Sequence, residues 1–137
     1  MKKLLSRIAL VLALIPVLFS FAACKKDPKV IFEHDTYIII NVVDDVAEGT
    51  TLYEYMHTLD KSLRFESKDG MITSINGVAN AADWSSCWML YTTDTENSDT
   101  AWGSAEYGGR IYGSASYGAE SLVIKKGESY IWLYQSF

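Results

Sequence analysis

The chain has 137 residues, with 12 Lys and Arg against 17 Asp and Glu, a formal net charge of −5, and 49% hydrophobic residues. That length supports one core and one small domain. The acidic balance repels phosphate backbones and excludes nucleic acid as a partner, and two cysteines are too few for a disulfide framework.

Met1-Lys2-Lys3 and Arg7 give the N-terminus a positive region, and Ile8 to Ala23 then carries no charge before "FAAC" at 21–24. This is the pattern of a secretory signal with small residues at its cleavage point. The run is shorter than the roughly 20 residues that span a bilayer. A cysteine directly after the small residues resembles a bacterial lipobox. That resemblance implies cleavage before Cys24 and a diacylglycerol thioether on it, which holds the protein outside the cell on the bacterial membrane; two acyl chains suffice for stable attachment. The expected organisation is residues 1–23 as lipoprotein signal peptide, 24–35 as lipid-anchored tether and 36–137 as the folded domain. The mature chain then has 114 residues, 9 basic and 17 acidic, and a net charge of −8. With Cys24 lipidated, Cys87 has no disulfide partner, and its apolar neighbours suit a buried, inert thiol.

Within the tether, "KKDPK" (25–29) is the linker-like part, and "VIFEH" starts the next strand or forms a short partner to it. "YIIINVV" (37–43) is β-branched and apolar on both faces, as a central strand is. "TLYEYMHTLD" (51–60) reads as the only clear helix. Thr51 and Glu54 stand in a capping-box relation, and Leu52, Tyr55, Met56 and Leu59 form one apolar stripe. Beyond residue 63 the pattern is strands. "LRFES" and "MITSI" flank an Asp69-Gly70 turn, Asn76-Gly77 marks another turn, "CWMLYTT" (87–93) is a strong strand, and "SLVIKKGESYIWLY" reads as a hairpin about Lys126-Gly127. The predicted class is α+β: a β-grasp-like sheet, curled and mostly antiparallel, with one helix packed on it.

No nucleophile, base and acid stand in a recognisable set, no glycine loop precedes a helix to cradle phosphate, and no His/Cys cluster has zinc spacing. Asp44-Asp45 and the acids of "DTENSD" (94–99) match no calcium loop and read as solvated turns. The chain therefore reads as non-catalytic, without metal and without an obligatory cofactor.

Between residues 102 and 118 an aromatic precedes glycine four times, at Trp102, Tyr107, Tyr112 and Tyr117, always five residues apart. Two readings stand. Either these rings line a shallow ligand surface, with glycine and serine admitting close backbone approach, or they cover the open end of a small core. Arg110 among them is expected to pair with Glu106 or, as the alternative, to contact an anionic ligand.

"MITSINGVANAADWSSCWMLY" (71–91), "YGAESLVIKKGESYIWLY" (117–134) and "EGTTLYEYMHTL" (48–59) together resemble the C-terminal β-domain of the transcobalamin and intrinsic factor family, over roughly residues 36–135. The resemblance implies a non-catalytic binding module whose candidate ligand is a corrinoid such as cobalamin. It implies contacts from Trp88, Leu90 and Tyr91 and from Ser116, Tyr117 and Gly118; Trp102, Tyr107 and Tyr112 are further candidate contacts on the aromatic-glycine pattern alone, in an insertion the family does not explain. The chain departs from the family at Met89, where a glutamine is usual, and at Ser114, Ser116 and Tyr117, which replace apolar residues. It also carries no helical barrel to close the other side of a ligand, so a partner protein would have to complete the site. The alternative is a module that binds a protein or cell-wall polymer and no small molecule.

Overall fold

In a computed structural model, the structure describes residues 28–59 and 61–137. The expected signal peptide and Cys24 lie outside the described residues. Nine strands are present among them: β1 (Val30–His34), β2 (Tyr37–Asn41), β3 (Phe65–Lys68), β4 (Met71–Ile75), β5 (Val78–Ala79), β6 (Ser86–Thr92), β7 (Ser98–Tyr107), β8 (Arg110–Ala115) and β9 (Ser129–Ser136). One helix, α1 (Leu52–His57), separates β2 from β3. The strands form a six-stranded sheet in the order β1-β2-β9-β6-β8-β7 and a three-stranded sheet in the order β3-β4-β5. Every strand pairing is antiparallel.

The expected α+β, β-grasp-like architecture is thereby corrected. Half of the described residues are strand and 6% are helix, so the described chain is mostly β, two antiparallel sheets rather than one curled sheet carrying a helix. The helix is short for a physical reason. Its capping box forms as expected, with Glu54 N donating to Thr51 Oγ1 and Thr51 N donating to Glu54 Oε2. Only Leu52, Tyr55 and Met56 of the stripe are buried, however, and Thr58 already leaves the helix. Six residues cannot hold a helix by propensity alone, so α1 persists through packing as one element of the core rather than as a layer.

The large sheet buries both faces. On one, Ile38, Ile40, Trp88, Leu90, Tyr130 and Trp132 pack with α1, with Ile72 and Ile75 of the small sheet, and with Leu122 and Ile124. On the other, Ile39, Tyr91, Tyr112 and Ile131 form a second cluster. This explains the unbroken apolar run of β2, whose Ile38, Ile39 and Ile40 are all fully buried.

Three further differences from the sequence reading concern local structure. Residues 30–34 of the expected tether pair with β2 as strand β1. After the turn at 93–97, the aromatic–glycine segment is a long hairpin, β7–β8, with β7 unanticipated in the sequence. "SLVIKK" is not a hairpin arm: Leu122 and Ile124 are buried, but Val123 makes a single bridge to Thr51.

The hairpin turns at Gly108-Gly109, both with positive φ, and folds across the second cluster. Its tip reaches β1 and β2, where Tyr107 Oη donates to Glu33 Oε1 at 2.6 Å and Tyr37 Oη donates to Glu106 O at 3.0 Å. Arg110 does not pair with Glu106; its guanidinium stands 3.8 Å from Glu128. No described helix is long and apolar enough to cross a membrane.

Candidate functional site

The site begins where β8 leaves β6. The ladder between them covers only Tyr91–Ser114 and Thr92–Gly113, although β6 continues back to Ser86 along β9. Beside Trp88 and Leu90 the large sheet therefore lacks a neighbour on one side. Chain 115–119 diverges there because it is held elsewhere. Ser116 N donates to Asn97 O at 2.8 Å, and Gly118 O accepts from Ser121 N and Leu122 N.

Asn97 is itself fixed by Asp94, whose carboxylate accepts from Asn97 Nδ2 at 2.8 Å, Glu96 N at 3.1 Å and Lys125 Nζ at 3.2 Å. Burial alone pushes the Asp94 carboxyl up, but these hydrogen bonds and the Lys125 charge outweigh it and hold its pKa below the ordinary 3.8. The acidic turn expected to be solvated thus has a buried carboxylate at its centre, with a side chain only 3% exposed.

The gap is a cleft of ≈ 250 Å³ between the two sheets. Trp88, Leu90 and Trp132 lie under it, Gly70, Met71 and Ile72 form one wall, and residues 114–119 form the other. Trp88 is pinned from both ends, its Nε1 donating to Val78 O at 2.7 Å and its main-chain N to Asn80 Oδ1 at 2.9 Å. Its ring meets Tyr134 edge-on, with centroids 5.3 Å apart. A rigid aromatic floor loses little entropy on binding a ring. A Cβ on Gly118 would stand 3.3 Å from Gly70 O, so a larger residue there would push the facing main chain back by a few tenths of an ångström. The hydroxyls of Ser114, Ser116 and Tyr117 bond to no other described residue.

Of the residues expected to contact a ligand, Trp88, Leu90, Ser116, Tyr117 and Gly118 line this one cleft. Tyr91 does not. The strand alternation turns it to the opposite face, where it is buried in the second cluster and its hydroxyl donates to Gln135 Oε1. Burial is the main cause of its raised pKa.

The other ladder aromatics are also apart from the cleft. Tyr112 is fully buried in the second cluster and Tyr107 packs against it. Trp102 is 74% exposed, at the tip of four residues that bulge from β7 between the Asp99–Ser114 and Ser104–Gly113 pairs. The four rings therefore share no surface.

The sequence reading did not select Gly70, Met71, Ile72 or Trp132. Trp132 could have been found, because it pairs with Leu90 in the strand register. The other three come from the second sheet, and no local pattern places a hairpin tip against a distant loop.

Cys87 is half-buried, with Sγ 3.7 Å from Met89 Sδ. Among the described residues no group of three or more His, Cys, Asp or Glu is placed to hold a metal ion. No protein-family model, no curated protein and no solved structure matches this chain.

Proposed function

We propose that the protein is a non-catalytic ligand-binding module, held at the outer face of a bacterial membrane by a lipid on Cys24, that takes a ring-bearing small molecule in the cleft over Trp88. The carrying observation is the convergence of Trp88, Leu90, Ser116, Tyr117 and Gly118 on one concave surface. It combines an apolar floor with unpaired hydroxyls, the combination by which small-molecule sites gain affinity and orientation.

The candidate ligand is a corrinoid, on the resemblance of 71–91 and 117–134 to the vitamin carriers' β-domain. The cleft is open on one side, so a partner protein would complete the enclosure of so large a ligand. The test is titration of the full chain with cyanocobalamin. The expected result is a saturable change in its visible spectrum, lost in Trp88→Ala. No change and no heat at millimolar ligand would refute the corrinoid.

A second reading, a module that binds a protein or wall polymer, draws on Trp102, a large ring displayed on the edge strand β7. A pull-down from cell-envelope extract that depends on Trp102 and not on Trp88 would favour it.

A further inference from the structure

Met71 and Tyr117 face the cleft from opposite walls. Met71 opens β4 directly after the Asp69-Gly70 turn, and Tyr117 sits on the segment that leaves β8. They are 51% and 55% exposed, among the most exposed large apolar side chains in the protein. Neither makes a hydrogen bond, ion pair or ring contact with another described residue. Both can swing, whereas the glycine pinch between them is backbone against backbone.

Hydrogen bonds tie the small sheet to the large one at one end only. Near β5, Trp88 Nε1 bonds Val78 O, Tyr134 Oη donates to Ala79 O at 2.8 Å, and Trp88 N bonds the Asn80 side chain. At the other end, residues 68–71 make no hydrogen bond to the six-stranded sheet. That end, held by the packing of Ile72 and the approach of Gly70 to Gly118 and not by hydrogen bonds, forms one wall of the cleft.

The charge at the site restricts the occupant. No Lys, Arg, Asp, Glu or His lines the cleft. Two charged residues stand at its edge: Glu120 Oε2 lies 3.6 Å from where a Cβ on Gly70 would stand, and the exposed Lys68 is the cross-strand partner of Met71. An anion entering the cleft would be desolvated with no countercharge in the lining itself. A neutral ring with hydroxyl or amide substituents would instead meet Trp88 below and the Ser114, Ser116 and Tyr117 hydroxyls at the side.

We infer that the cleft is a two-jawed site for uncharged, flat, ring-bearing ligands, in which Met71 and Tyr117 close from opposite walls, so that occupancy clamps the Met71 end of the small sheet, which no hydrogen bond holds, to the large one. The inference rests on the cleft being the ligand site proposed above; beyond that reading, it commits to ligand charge and to Met71. A thioether suits the role, because an unbranched, polarizable chain adapts to a ring edge.

The test uses the full chain in lipid nanodiscs with two probes that share one ring system: riboflavin, which is neutral, and flavin mononucleotide, which adds a phosphate. Riboflavin fluorescence should be quenched saturably, with flavin mononucleotide binding at least tenfold more weakly. Met71→Ala and Tyr117→Ala should each weaken riboflavin about tenfold, the equivalent of ~1.4 kcal/mol. Independently of any variant, riboflavin should slow amide exchange across Met71–Ile75 in the unmodified protein. Absence of riboflavin binding, equal affinity for the two probes, an unchanged Met71→Ala, or no protection of β4 would each overturn the clamp. Riboflavin binding without cyanocobalamin binding would leave the clamp standing and remove the corrinoid. Cyanocobalamin binding that ignores Met71 would do the reverse.

Discussion

Tyr112 and Tyr117 are five residues apart, and each precedes a glycine, yet their truncation should have opposite consequences. Tyr112 is 2% exposed and packs with Ile39, Tyr91 and Ile131 under the β7–β8 hairpin. Truncating an aromatic at such a site removes its transfer free energy and leaves a cavity, about 3–5 kcal/mol in total. The whole stability of a domain this size is about 5–15 kcal/mol, so Tyr112→Ala should spend a large part of it. With a urea m-value of about 1.5 kcal/mol/M, the midpoint should fall by roughly 2–3 M. The second cluster lies across the sheet from the cleft, so any Tyr112→Ala protein that remains folded should keep its affinity for the neutral ring probe.

Tyr117 is 55% exposed and makes no hydrogen bond, ion pair or ring contact with another described residue. Tyr117→Ala should change stability by less than about 0.5 kcal/mol, the usual range for a surface change, while weakening the probe. Urea unfolding followed by tryptophan fluorescence, with the riboflavin titration beside it, reads both. Equal stability losses for the two variants, or a Tyr112→Ala that costs under about 1 kcal/mol, would refute the assignment of one ring to the core and the other to the cleft.

Two other perturbations are expected to separate positioning from strain. Asp94 has a folded pKa below its unfolded 3.8, so the stability it supplies is complete above pH 3.8 and is lost as pH falls through the lower folded value. Asp94→Asn should therefore flatten the acid limb of the urea midpoint against pH. Through Asn97 and Ser116 it should also loosen the cleft wall and weaken riboflavin at neutral pH. Trp84 is an exposed, non-glycine residue at φ 62. Trp84→Gly should raise stability by about 1 kcal/mol in the same unfolding assay, because it relieves left-handed strain; a loss instead would show that the ring makes a stabilising contact.

The two tight turns of the small sheet were legible in sequence because their chemistry is local. Asp69-Gly70 and Asn76-Gly77 both adopt positive φ, at 51° and 81° and at 48° and 83°, as hairpin turns require. The α1 cap was legible for the same reason. β7 was not, because only Ala105 and Tyr107 of its ten residues pack on the second cluster, and its two-residue period is interrupted by the Thr100–Gly103 bulge. Leu122 and Ile124 misled in the opposite direction. Their alternation reports burial against α1 and the large sheet, and burial by itself makes no ladder. In the cleft, Trp88 and Leu90 follow from alternation along one strand, whereas Met71 enters only through the meeting of two sheets.

The five-residue spacing of the aromatic–glycine ladder follows from how the hairpin is built. A two-residue turn at Gly108-Gly109 pairs Tyr107 with Arg110 and Ala105 with Tyr112. Residues opposite each other in a ladder share a face, and so do residues two apart on one strand. Tyr107 and Ala105 therefore share a face, and Tyr112 joins them, five residues from Tyr107 by way of the turn. That parity holds only while the ladder is regular. It fails at Trp102, which sits in the bulge, and again past Ala115, where β8 ends and the chain turns toward Asn97. The two rungs inside regular pairing point into the core, and the two outside it are the exposed ones. Exposure of Trp102 and Tyr117 is thus set by where pairing stops, and only at Tyr117 does the interruption also open a cleft.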